Sequence, residues 1–152
     1  MLRVAIERPD QPEVLRLIEE LDAYQVPLYP AESHHGIDVA ALLGACVSFV
    51  VARDESSVAL GCGAVVMNGG WAELKRMYVL PRARGRGVAQ AMLRLLETIG
   101  VERGASVMRL ETGNLQPEAL RLYERAGYAR RGPFGDYDDD PHSVFMEKRL
   151  RS

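Results

Sequence analysis

One ten-residue stretch constrains this chain more than any other: Val79-Leu80-Pro81-Arg82-Ala83-Arg84-Gly85-Arg86-Gly87-Val88. A β-rich run ends at Val79. From Val88 onward Met92, Leu95, Leu96 and Ile99 fall on one helical face. The chain must therefore turn from strand to helix through glycines and arginines. The first amides of a helix lack internal partners and lie at the positive end of its dipole. Glycines let an anion approach those amides, and Arg82, Arg84 and Arg86 add charge beside them. A pyrophosphate site follows from the physics.

The surrounding pattern narrows which site this is. A dinucleotide fingerprint needs a third glycine where Gln90 stands, and a P-loop needs Gly-Lys-Ser/Thr, which is absent. Before the turn come three β-rich runs, Val47–Arg53, Val58–Met67 and Trp71–Val79. Asp54–Ser57 joins the first two and Asn68-Gly69-Gly70 the last two, so an antiparallel meander is expected. Gly61 and Gly63 mark a bulge or a close backbone approach. Ahead of the meander, Leu2–Glu7 reads as a strand. Asp10 and Glu13 have capping-box spacing for a helix carrying Val14, Ile18 and Leu21, closed by Pro27 and Pro30. Asp38 caps a short helix through Leu43. After the long helix come a strand at Val107–Thr112, a helix from Pro117 stopped at Gly127, and strands at Tyr128–Arg131 and Val144–Arg149 around a polar loop. The order β-α-α-β-β-β-α-β-α-β-β makes residues 1–152 one α+β domain, a mixed α/β fold around one sheet.

Composition removes other classes. A net charge of -2 and a pI of about 5.9 do not favour nucleic acid. No apolar run reaches the roughly 18 residues of a membrane span, and the N-terminus lacks the apolar core of a signal peptide. Cys46 and Cys62 sit in apolar stretches and read as buried thiols of a cytoplasmic protein. His34-His35 lacks metal-ligand spacing, and no metal is expected.

With these elements in place, the chain resembles the GNAT superfamily of acyl-CoA-dependent N-acyltransferases. Arg82-x-x-Gly85-x-Gly87 is similar to its Gln/Arg-x-x-Gly-x-Gly/Ala signature. Gln116-Pro117-Glu118-Ala119-Leu120-Arg121-Leu122-Tyr123, ending Gly127-Tyr128, looks like its Asn-x-x-Ala-x-x-Leu-Tyr-x-x-x-Gly-Phe segment. The ending Gly132–Lys148 resembles a bacterial subgroup of small members. The resemblance implies a central, mostly antiparallel sheet flanked by helices, and acetyl-CoA as co-substrate. Backbone of Met77, Tyr78 and Val79 would hold the pantetheine arm, and amides from Ala83 to Val88 the pyrophosphate. Splayed fourth and fifth strands would admit the thioester. Gln116 replaces the usual asparagine at a cofactor contact. Many relatives pair as homodimers.

The implied reaction is direct acetyl transfer to a primary amine of a small molecule or peptide. An alternative is an acyl-CoA-binding sensor without turnover, motivated by the altered Gln116-Pro117 pair. A lysine-like amine has a pKa near 10.4, so reaching its neutral form at pH 7 costs about 4.6 kcal/mol. A positioned base contributes about 10²–10⁴-fold, whereas holding amine and thioester together supplies roughly 7–11 kcal/mol. Tyr123 matches the superfamily's acid for the leaving thiolate. Glu73 and Glu111 are the two candidate bases, with a water chain as the alternative to both. Tyr24, Tyr29, His35 and Tyr137 are expected around the acceptor, with the Asp138–Asp140 run able to attract a cation.

Overall fold

The computed structural model describes residues 1–30 and 38–151. Its strands are β1 (Arg3–Ile6), β2 (Val47–Arg53), β3 (Ala59–Asn68), β4 (Trp71–Val79), β5 (Val107–Gly113), β6 (Ala129–Arg131) and β7 (Ser143–Arg149). Its helices are α1 (Pro12–Gln25), α2 (Val39–Leu42), α3 (Val88–Glu102) and α4 (Pro117–Arg125), with 3-10 turns at Val26–Leu28 and Pro81–Ala83. The strands form one seven-stranded sheet in the order β1-β2-β3-β4-β5-β7-β6. The β4–β5 pair is parallel and the other neighbours are antiparallel. The expected architecture and element order are observed.

Both faces of the sheet are covered, and β2 shows how the sequence achieves this. Val50 and Ala52 enter the core on the α3 side, with Met92, Leu93 and Leu96. Phe49 and Val51 enter the opposite core, with Val14, Leu17, Ile18 and Leu21 of α1. A strand buried on both faces reads as a continuous apolar run, because its two-residue period has no polar side to display. Leu120 and Tyr123 of α4 join the α3 layer.

Local chemistry sets most boundaries. Asn68 pairs with Trp71, so Gly69-Gly70 is a two-residue hairpin loop. Asp38 caps α2 by accepting the Ala41 N–H at 2.8 Å. Gly127, at φ +101°, ends α4, and the Tyr128 N–H donates back to the Tyr123 carbonyl at 3.0 Å.

Three expectations are corrected. The Asp10–Glu13 capping box does not form, and Gln11 holds the N-cap position of α1 without a side-chain cap. Asp10 instead pairs with Arg8, and Glu13 with buried Arg53, which also grips Glu7. Two guanidinium groups outcompete the helix amides for these carboxylates. Cys46 is exposed, because the chain is still in the loop before β2 where Cys46 occurs. Tyr128 precedes β6 rather than opening it, since its ring is buried against Tyr123.

Candidate active site

The site begins where two strands part. β4 and β5 pair only from Trp71–Val107 to Leu74–Leu110, although β4 continues to Val79 and β5 to Gly113. A bulge lies at that point. Cys62 faces Tyr78 and Ala64 faces Lys75, so Gly63 alone opposes Arg76 and Met77. Arg76 takes the left-handed conformation, φ +57°, rare for a side chain of its size. A bulge bends its strand and increases twist, which turns β4 away from β5. The backbone edge from Lys75 to Val79 thus borders a groove.

That groove has a volume of about 670 Å³. One wall is Met77, Tyr78, Val79 and, from the turn, Ala83, Arg84, Gly85, Gly87 and Val88; the other is α4, through Pro117, Ala119, Leu122 and Tyr123. Gly87 occupies the N-cap position of α3 at φ +79°, and Gly85 lies at φ +80°. A side chain at either position would strain the backbone. The amides of Ala83 and Arg84 are taken by the carbonyls of Leu80 and Pro81. The first backbone bond beyond the turn is Ala91 N–H to the Gly87 carbonyl, leaving the amides of Gly85 through Gln90 without a backbone acceptor among the described residues, a set of donors an anion could use. Arg84 donates to the Val79 carbonyl at 3.1 Å and lies 5.8 Å over the Tyr78 ring. Arg82 and Arg86 are exposed and outside the lining.

A second cavity, about 360 Å³, lies between α1 and the splayed strands. Leu21, Met77, Gln116, Ala119 and Tyr123 line both spaces. Tyr123 is 6% exposed and packs edge-on to Tyr128. Among the described residues no group hydrogen-bonds its hydroxyl. Burial alone pushes that phenol well above its ordinary pKa, so it stays protonated. A protonated, unpartnered phenol between two cavities can donate to a leaving group.

Two carboxylates line the second cavity. Glu73 pairs with Lys75 at 3.2 Å and accepts the Tyr137 hydroxyl at 2.5 Å. Glu111 accepts the Ser143 hydroxyl at 2.7 Å. Burial, then the charges of Glu73 and Glu111, push the Tyr137 phenol strongly up. Tyr137 lines a third, more open space with Asp136, Asp138, Asp139 and Asp140. Tyr29 and His142 line the second cavity in edge contact with each other. The Tyr29 hydroxyl accepts the Leu115 N–H at 3.0 Å and lies 3.4 Å from the Gln116 amide nitrogen. It rests over Gly113, where any Cβ would run into it. Tyr24 lines the first groove, not the second cavity. His35 lies outside the described residues. Sequence reasoning missed Arg76 and its partner Asp22, 2.5 Å apart in the second cavity. Only the bulge turns Arg76 inward, and nothing in the local sequence marks a left-handed arginine.

Residues 13–128 match the acetyltransferase (GNAT) family. The chain belongs to the GNAT family. It is 46% identical over 149 residues to an IAA acetyltransferase of Azospirillum brasilense, covering 97% of each chain. It is 33% identical over 141 residues to an uncharacterized N-acetyltransferase, YsnE, of Bacillus subtilis, covering 91% of this chain and 93% of the other. A crystal structure assigned to the acyl-CoA N-acyltransferases, from Klebsiella pneumoniae, superposes with a TM-score of 0.85 at 36% identity over 99% of both chains. The paia N-acetyltransferase of Thermoplasma acidophilum, solved with coenzyme A, shares the fold at 16% identity, with a TM-score of 0.76 over 99% of both chains. This GNAT protein is an acyltransferase enzyme, and acetyl-CoA-dependent acetylation is its family's reaction. Among the described residues no helix is long and apolar enough to cross a membrane.

Proposed function

We propose that this enzyme transfers an acetyl group from acetyl-CoA directly to a primary amine of a small molecule or peptide, in a ternary complex. One observation carries the reading: Tyr123 stands, protonated and unpartnered, where the cofactor groove meets the second cavity. Pyrophosphate would rest on the amides of Gly85 to Gln90, and pantetheine would run along the open edge of β4. The amine nitrogen attacks the thioester carbonyl carbon. A C–N bond forms, the C–S bond breaks, and the amine's proton leaves through a cavity carboxylate, Glu73 or Glu111. Tyr123 protonates the departing thiolate. No acyl-cysteine step is needed: burial pushes the Cys62 thiol up to about 12, and Cys46 lines none of the three spaces. Reduced thiols fit a cytoplasmic setting.

Calorimetric titration with acetyl-CoA, CoA and NADH tests the cofactor. Saturation by the first two but not by NADH is expected; no binding by a folded sample removes the reading. With an accepted amine in hand, pH–rate profiles of Glu73→Gln and Glu111→Gln identify the base. Loss of the acidic limb in one variant names it, and retention in both excludes both residues.

A further inference from the structure

Resting on that reading, we propose that the acceptor is a small zwitterion, an α-amino acid or a close analogue, whose carboxylate is bound by Arg76 while its amine faces the thioester. The acetyl group would pass to the α-amine, giving an N-acetyl amino acid and free CoA.

The placement of Arg76 supports this. β4–β5 pairing stops at Leu74, so Lys75 and Arg76 are the first β4 residues inside the mouth of the splay. The bulge brings both side chains to the second cavity, where a simple strand would send consecutive residues to opposite faces. The Arg76 side chain is 10% exposed, whereas its partner Asp22 is 48% exposed. A desolvated guanidinium thus meets a carboxylate that reaches in from solvent on α1. A substrate carboxylate can take that carboxylate's place on the planar donor fork. Arg76 directly precedes Met77, which lines the cofactor groove as well. Arg76 and Tyr123 line the same cavity, so an α-amine carried one carbon from a carboxylate held at Arg76 would lie within the space that Tyr123 also borders. Glu111 supplies the opposite sign on the same cavity, to match the ammonium end, while Glu73 there is paired with Lys75. The small volume, about 360 Å³, suits a single amino acid.

The test measures thiol release from acetyl-CoA with the common L-amino acids and with each one's carboxamide, which keeps size and amine but removes the charge. The best amino acid is expected to exceed its carboxamide by about 30-fold or more in kcat/KM. Arg76→Gln should bring that ratio to near one while leaving acetyl-CoA affinity unchanged. Arg76→Lys, which keeps charge but loses the fork, should fall between and covers the case that the glutamine variant does not fold. Asp22→Asn, which removes the competing carboxylate, should lower KM for the amino acid. Carboxamides used as well as the acids, or a ratio that survives both arginine variants, overturns the inference and leaves acetyl transfer standing. Acetyl-CoA binding with no thiol release from either set overturns this inference; if a wider screen of primary amines is silent too, the transfer reading falls with it.

Discussion

Replacing Tyr123 by phenylalanine separates chemistry from packing, because the two roles predict opposite signs. The ring is 6% exposed and touches Tyr128 at 5.8 Å between centroids, contacts that phenylalanine keeps. The hydroxyl is buried without a hydrogen-bond partner among the described residues. An unsatisfied buried polar group costs about 1–3 kcal/mol. Its removal should therefore leave stability unchanged or raise it, with Tm up by about 2–4 °C for each kcal/mol recovered. If the hydroxyl protonates the thiolate, kcat should meanwhile fall by about 10²–10⁴-fold. Affinity for acetyl-CoA should stay within about twofold. The assay pairs thiol release at saturating acetyl-CoA with calorimetry and a thermal melt. Because burial holds the wild-type phenol above its ordinary pKa, wild-type turnover should show no basic limb from this group below about pH 10. A kcat within threefold of wild type refutes the acid role. A lowered Tm shows that the hydroxyl is bonded within the fold, which refutes the premise.

Other consequences follow from the same geometry. Gly87→Glu forces φ +79° on a side chain and sets a negative charge beside the Gly85–Gln90 amides, so acetyl-CoA affinity measured by calorimetry should drop at least tenfold. Gly113→Ala must displace the Tyr29 ring, so the acceptor's KM should rise several-fold with acetyl-CoA affinity unchanged; steady-state kinetics in both substrates would reveal a failure. Glu147 is held below the usual glutamate range mainly by its hydrogen bond from Arg109, then that from Arg131, and Glu7 mainly by Arg53. Both contribute stability above the unfolded glutamate pKa that is lost as pH falls through their lowered values, so Glu147→Gln should flatten the acid side of a stability–pH curve. Tyr123, Tyr128 and Tyr137 are all raised, chiefly by burial. Their stabilisation holds below pH 10 and is lost as pH climbs toward their folded values, so urea midpoints should decline from about pH 10 upward.

Much of this protein was legible in its sequence because the information was local. The Gly85–Gly87 turn, the Gly69-Gly70 hairpin, the Asp38 cap and the Gly127 stop each depend on a few neighbouring residues and a fixed backbone preference. The apolar periods of α3 and the unbroken run of β2 likewise say which sides are buried. From these the element order follows, and with it the family. The tertiary structure decided what depends on distant partners. Arg8 and Arg53 drew Asp10 and Glu13 away from the α1 amides, although the spacing favoured a capping box. The bulge opposite Gly63 turned Arg76 inward toward Asp22, a residue 54 positions away. Tyr29 found its place over Gly113 and beside Leu115, 86 positions on. Tyr123 of α4 reached the junction of the groove and the second cavity only through the tertiary fold. Periodicity and turn chemistry are carried by neighbours along the chain. Charge pairing, burial and the shape of the second cavity exist only once the sheet brings remote segments together.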